Sequence, residues 1–275
     1  MKLQRKSVSE AMAPAPVQES NALLRGLKVL AALADAARPM SLSDIGEGVG
    51  LPPSTTHRVL QNLLKDAYVY QDAQGRYGLG AAGLQPLPLD HPLNVLRRDA
   101  IAPMRALQAA FGPSILLFAF PGRQRVVVDY VPGSYHVTPY FDTRVTAPLH
   151  ASVSGKLLLS GLGAAERDEL LGPQPYRSRT DSTLVKRSAL FKQLDAIASD
   201  GIATNVNENV QGISAIGTRL ATPEGRNFGA IVITGPASFF TDAALTQMGA
   251  DLSATAEMLR NTSASSRLMG RLLGR

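Results

Sequence analysis

The chain has 275 residues, 45% of them hydrophobic, with no cysteine and a formal net charge of +6. The missing cysteines exclude disulfide frameworks, thiolate metal sites and a cysteine nucleophile. No run approaches the roughly 18 apolar residues of a membrane-spanning helix. The length accommodates two domains, and the basic balance points to an anionic partner such as nucleic acid.

Residues 1–20, MKLQRKSVSEAMAPAPVQES, are polar and carry an APAP step. No apolar stretch of signal-peptide length follows the initial charges, so they read as a disordered tail and the protein as cytoplasmic.

Residues 21–83 carry three helical patterns and a hairpin. In NALLRGLKVLAALADA, Leu23, Leu27, Leu30 and Ala34 recur at three and four residues, which predicts one buried stripe. Ser41 and Asp44 predict a capping box for a short second helix, SLSDIGEGV, and Gly50 ends it. The third helix starts at Pro53 or Ser54, with Ser54 suited to the N-cap. At about 100° per residue, Thr56, Val59, Leu60, Leu63 and Ala67 share one face. Ser54, Arg58, Gln61 and Lys65 point the other way, with Thr55, His57 and Asn62 at the margins. The following AYVYQDAQGRYGLG alternates tyrosines across a turn at Gly75, a two-stranded hairpin with Arg76 beside its tip.

Residues 84–98 hold Pro86, Pro88 and Pro92 and read as a linker. Beyond it, a helix over about 94–110 precedes strands SILLFAF and RVVVDYV around a Pro-Gly turn. A helix begins near Ser154, and another covers SALFKQLDAIASDG. GISAIGTRLA and NFGAIVITG are strands joined by a Pro-Glu-Gly turn, and an amphipathic helix closes the domain. The pattern predicts an α+β domain over residues 99–260 with a central antiparallel sheet. The basic ending, residues 261–275, is expected to be disordered.

Three short helices followed by a hairpin match the winged helix-turn-helix. Ser54, Thr55, His57, Arg58 and Gln61 supply donors at the amino end of the third helix, where a major groove admits side chains to base edges. Lys65 on the same face and Arg76 on the wing suit phosphates. Residues 21–83 carry six Lys/Arg against five acids, so placement of charge matters more than its amount. The pattern alone also fits a small helical bundle whose polar face meets water.

The string LSDIGEGVGLPPSTTHRVLQNLLKDAYVYQDAQGRYGLG resembles the amino-terminal domain of IclR-type bacterial transcription regulators. The matching landmarks are Leu42, Leu51-Pro52, Ser54-Thr55, His57-Arg58, Leu63, Tyr68-Val69, Asp72, Gly75, Tyr77 and Leu79-Gly80. Pro53 departs from the family's usual basic residue, and the second helix has glycines in place of Ala and Arg. APLHASVSGKLLLSGL, DGIATNVNENVQGISAIGTRL and GAIVITGP extend the likeness over roughly residues 21–260. The resemblance implies double-stranded operator DNA as partner, a homodimer or dimer of dimers, and a GAF-like domain that binds a small-molecule effector.

HASVSGKLLL is a loop of small residues running into a helix, whose amino-terminal N–H groups suit a carboxylate. An ordinary N-cap at Ser152 or Ser154 explains it equally well. Carried over by resemblance, the effector contacts fall at Val153, Ser154 and Gly155, then Asn205, Ala215, Val232 and Thr234. Family members that take small oxo-acids tend to have Asp, Cys and Ser where this chain has Asn205, Ala215 and Val232. The exchanges imply a less polar pocket, suited to an aromatic or bulkier organic acid or a phenol.

Enzyme readings fail on spacing. SVSGK has His150 where a phosphate loop needs its first glycine, and GISAIG has Ile216 where a nucleophile elbow needs glycine. His57, His91, His136 and His150 lie in separate segments, and Asn207-Glu208 reads as a solvated loop. No metal or cofactor is expected. The second reading is a metabolite-binding protein whose winged domain serves assembly.

Overall fold

The computed structural model describes residues 22–36, 38–80, 82, 90–133 and 147–272. The expected amino-terminal tail lies outside them. The chain divides into two units, Met1–Pro86 and Leu87–Arg275.

In the first unit, α1 (Ala22–Ala36), α2 (Leu42–Val49) and α3 (Pro53–Lys65) precede a hairpin of β1 (Val69–Gln71) and β2 (Tyr77–Leu79). Val29, Leu33, Ile45, Leu60, Val69 and Tyr77 form its core. The expected stripe on α1 is corrected: Leu23, Leu27 and Ala34 are exposed, and Val29 and Leu33 are buried instead. This helix is apolar on more than one side, so contact with α2 and α3 chooses the buried line. The Ser41 Oγ accepts from the Asp44 N–H at 3.2 Å, and Gly50 adopts the left-handed conformation that ends α2. Gly46 lies where α2 meets α3; a Cβ there would stand 3.0 Å from the Leu51 carbonyl oxygen and the Thr56 Oγ1.

The second unit is built on a five-stranded, all-antiparallel sheet, so the fold class is α+β. Its strands are β3 (Ser114–Ala119), β4 (Val126–Val131), β5 (Ile202–Val206), β6 (Ile213–Ala221) and β7 (Asn227–Pro236), in the order β4-β3-β7-β6-β5. Strand β3 is buried along its whole length because both faces are covered. On one face Ile115, Leu117, Ile231 and Ile233 pack with α4 (Pro92–Phe111), α8 (Asp242–Thr262) and α9 (Ala264–Leu272). On the other, Leu116, Phe118, Ala230 and Val232 pack with α5 (Val153–Ser160) and α7 (Arg187–Asp200). A short α6 (Ala164–Leu171) and strand β5 were not anticipated from the sequence.

Two expectations are corrected here. Residues 92–98 are helix rather than linker. Pro92 occupies the first turn, where a missing N–H costs nothing, and the His91 Nδ1 accepts from the Leu93 N–H at 3.2 Å. Val95 and Leu96 are buried. The basic ending is helical through Leu272 rather than disordered. Its Ser265, Ser266 and Met269 are buried, the Ser265 N–H donates to the Asp99 Oδ2 on α4, and the Arg226 Nη2 donates to the Gly270 carbonyl.

Candidate nucleic-acid interface and effector site

The sequence places Leu60 and Thr56 on one side of α3, and both are fully buried. The Thr56 Oγ1 donates to the Pro52 carbonyl at 3.1 Å, which leaves the polar face of the helix turned outward. Ser54, His57, Arg58 and Lys65 are exposed, and Thr55 and Gln61 are partly so. No side-chain hydrogen bond or ion pair among the described residues engages Ser54, His57, Arg58, Gln61 or Lys65. Ser54 is not the N-cap: Pro52 holds that position and no side chain caps the helix. The first-turn N–H groups of Ser54 and Thr55 therefore face outward with a favourable dipole for phosphate. Ala67 also leaves the expected face, because α3 ends at Lys65 and Ala67 has φ 55°.

The wing is built around Asp72. Its Oδ1 accepts from the Gln74 and Arg76 N–H groups at 3.0 and 2.9 Å, and its Oδ2 takes the Arg76 Nε at 3.0 Å. The Arg76 N–H, with smaller help from its guanidinium, holds the Asp72 carboxyl below the usual range. Arg76 thus sits at the turn as expected but is shared with Asp72. Such an exposed pair is weak enough to exchange for a phosphate.

In the second unit, strand register gathers several expected effector residues. Asn205 lies opposite Ala215, Ala215 opposite Thr234, and Thr234 opposite Ser114. Directly opposed residues share a face, so these four form one row across β5, β6, β7 and β3. The adjoining row is Gly217, Val232 and Leu116. Val153 at the start of α5 stands over that row; a Cβ on Gly217 would come within 2.8 Å of the Val153 Cγ1 and the Val232 Cγ2.

The polar ends of this site are largely committed. The Asn205 Nδ2 donates to the Ala151 carbonyl at 2.6 Å and its Oδ1 accepts from the Glu208 N–H at 2.8 Å, so it ties segments together. The Thr234 Oγ1 donates to the Ser214 carbonyl. Gly155 is fixed by packing, since a side chain there would strike the Leu149 backbone. Ser154 is buried, and its Oγ accepts from the Arg125 Nη1 at 3.2 Å.

Sequence reasoning missed three participants. Ser114 was hidden in an apolar strand. Arg125, ahead of β4, also donates to the Ser152 Oγ at 2.7 Å and the Ala147 carbonyl at 2.6 Å. Lys156 is fully buried and donates to the Glu208 Oε1 at 2.5 Å and the Thr204 carbonyl at 3.0 Å. The expectation of a solvated loop at Asn207-Glu208 is thereby corrected for Glu208, which is 7% exposed. Burial depresses the Lys156 amine and raises the Glu208 carboxyl, and each partner's charge works against those shifts.

A winged helix-turn-helix followed by an α+β unit defines a two-domain DNA-binding regulator. Family models agree: IclR helix-turn-helix domain matches residues 22–73, and Bacterial transcriptional regulator IclR C-terminal matches residues 93–261. The chain belongs to the IclR family of transcription regulators and is not an enzyme. It is 29% identical over 258 residues to the HTH-type transcriptional repressor AllR of Escherichia coli, covering 90% of each chain. The HTH-type transcriptional regulator XynR of the same organism is 28% identical over 222 residues, 80% of this chain and 88% of XynR. An IclR homolog from Microbacterium hydrocarbonoxydans, complexed with 4-hydroxybenzoate, superposes with a TM-score of 0.77 at 21% identity, covering 90% of this chain and 99% of that one. The Thermotoga maritima IclR gives 0.65 at 21% identity, covering 92% and 98%. Among the described residues, no helix is long and apolar enough to cross a membrane.

Proposed function

We propose that this regulator binds a specific duplex operator through α3 and the wing, and that a small organic or aromatic acid in the second unit modulates the binding. The target is a catabolic or metabolic operon, and the protein works in the cytoplasm on DNA. The observation that carries the reading is the outward donor face of α3, where the side chains of Ser54, His57, Arg58, Gln61 and Lys65 make no hydrogen bond or ion pair to the described residues. Those residues and Thr55 read base edges or phosphates, and Arg76 meets a neighbouring phosphate.

On the effector side, Val153, Ser154, Ala215, Val232 and Thr234 converge on one sheet face, with Asn205 and Gly155 shaping it. The apolar side chains there suit a ring or an alkyl body, and the 4-hydroxybenzoate complex of a structural neighbour supports that class. A homodimer is supported by the apolar groove on the first unit, about 640 Å³, lined by Leu23, Leu27, Leu30, Val59, Leu63 and Tyr68. A palindromic operator follows from such symmetry.

The test is a mobility-shift titration on the DNA upstream of the protein's own gene. A sequence-specific shift at physiological salt is expected, with Arg58→Ala weakening it about 10- to 100-fold. Binding only at low salt, indifferent to sequence and to Arg58, would instead favour assembly as the role of the winged unit.

A further inference from the structure

We propose that the second unit carries its own contact to the DNA backbone: the loop of residues 176–187 presents Arg177, Arg179 and Lys186 to phosphates. The proposal rests on the reading of duplex DNA as the partner and adds a surface outside α3 and the wing.

The chain's formal charge is +6, yet residues 21–83 hold six Lys/Arg against five acids, so most of the excess lies elsewhere. Many cations of the second unit are already engaged. Arg123 pairs with Glu166 and Glu169, Arg167 with Asp195, and Arg187 with Asp168. The Arg219 and Arg226 guanidiniums donate to the carbonyls of Ala198 and Gly270. Arg177, Arg179 and Lys186 differ: they are exposed, and their side chains make no hydrogen bond or ion pair to the described residues. All three belong to one short loop, in which Asp181 is the single acid.

The loop's backbone is pinned. The Tyr176 N–H donates to the Val185 carbonyl at 3.0 Å, so Arg177 and Lys186 flank a bonded pair where the two ends run side by side. The buried Thr183 Oγ1 accepts from the Arg179 and Thr180 N–H groups at 3.0 and 2.9 Å and donates to the Glu208 carbonyl at 2.7 Å. The Thr180 Oγ1 donates to the Asn207 carbonyl at 2.6 Å. Cations on a fixed backbone lose less freedom on meeting an anion than cations on a loose one. Duplex DNA carries one negative charge per about 1.7 Å of its axis, so it accepts several such cations without a matching pocket. These contacts add affinity and register but read no bases.

Mobility-shift titrations of the full chain over about 50 to 200 mM salt test this on two duplexes, the DNA upstream of the protein's own gene and a scrambled sequence. The triple variant Arg177→Gln/Arg179→Gln/Lys186→Gln should flatten the slope of log affinity against log salt by about 2.7 on both duplexes. The ratio of wild-type to variant affinity should then shrink roughly 40-fold across that range. Arg177→Lys/Arg179→Lys should keep the wild-type slope. So should Arg98→Gln/Arg105→Gln/Arg267→Gln, which removes three exposed cations of α4 and α9 instead. Urea midpoints matching wild type are expected, because the replaced side chains hold nothing in place. An unchanged slope in the loop variant overturns the proposal and leaves the loop to an acidic protein partner. The same fall in both triple variants also overturns it, since net charge alone would then explain the effect. If wild type binds both duplexes alike while the loop variant loses slope, the specific-operator reading fails and the proposal stands. If wild type binds neither duplex, both fail.

Discussion

Replacing Lys156 with methionine removes the amine but keeps most of the side-chain volume, so the cost isolates the charge. Lys156 is 0% exposed, and its Nζ holds both the Glu208 Oε1 and the Thr204 carbonyl. In the variant Glu208 stays in place because its own N–H is bonded to Asn205 and its carbonyl to Thr183. Its Oε2 already lacks a hydrogen-bond partner, so the carboxylate becomes a buried, uncompensated charge. Breaking such a pair costs about 3–5 kcal/mol. For a unit of this size, that is a fall of roughly 6–20 °C in melting temperature.

The double variant Lys156→Met/Glu208→Leu exchanges both charges for apolar groups and should recover most of the loss. The single variant's deficit should also depend on pH. Without Lys156, burial alone acts on Glu208 and pushes its folded pKa further above the ordinary 4.5. A raised carboxyl pKa contributes stability that is full below the unfolded value and lost as pH rises through the folded one. The deficit should therefore be largest near neutrality and shrink as pH falls towards that of an ordinary carboxyl. Urea titrations of wild type, the single variants Lys156→Met and Glu208→Leu, and the double variant at several pH values supply the cycle. A single-variant cost below about 1 kcal/mol, or strictly additive costs in the double variant, would refute the reasoning.

Three further substitutions probe elements the second unit and the winged unit rely on. Gly48 is exposed inside α2 with open space around its missing Cβ, so Gly48→Ala should stabilise the winged unit by roughly 0.5–1 kcal/mol. Gly46→Ala should forfeit that gain against the Leu51 carbonyl and Thr56, and an equal rise in urea midpoint for both would contradict the packing described. Met269→Ala on α9 removes a side chain with 0% exposure and should cost about 2–4 kcal/mol. Thermal melts showing no change would mean that α9 does not dock on α4.

The amino-acid sequence determined what depends on near neighbours. The buried side of α3, with Thr56 and Leu60, follows from spacing alone because one helix turn brings them together. The Ser41 cap, the Gly50 stop and the hairpin turn at Gly75 follow from local backbone chemistry. The order of helices and strands in the second unit was legible for similar reasons, apart from α6, β5 and α9. Ala203 and Asn205 of β5 are buried small and polar residues that give no alternating apolar signal.

Tertiary structure decided the rest. On α1 the periodic stripe is real in the sequence, but α2 and α3 bury Val29 and Leu33 because they contact another side of the same apolar helix. The basic ending looks unstructured because its buried positions include Ser265, Ser266 and Gly270, and contact with α4 and with Thr222 and Arg226 makes a core of them. Arg125 meets Ser152 27 residues away, and Lys156 meets Glu208 across 52. Hydrogen bonding and charge pairing depend on distance in space, so partners that far apart in the chain are set only when the sheet brings them together.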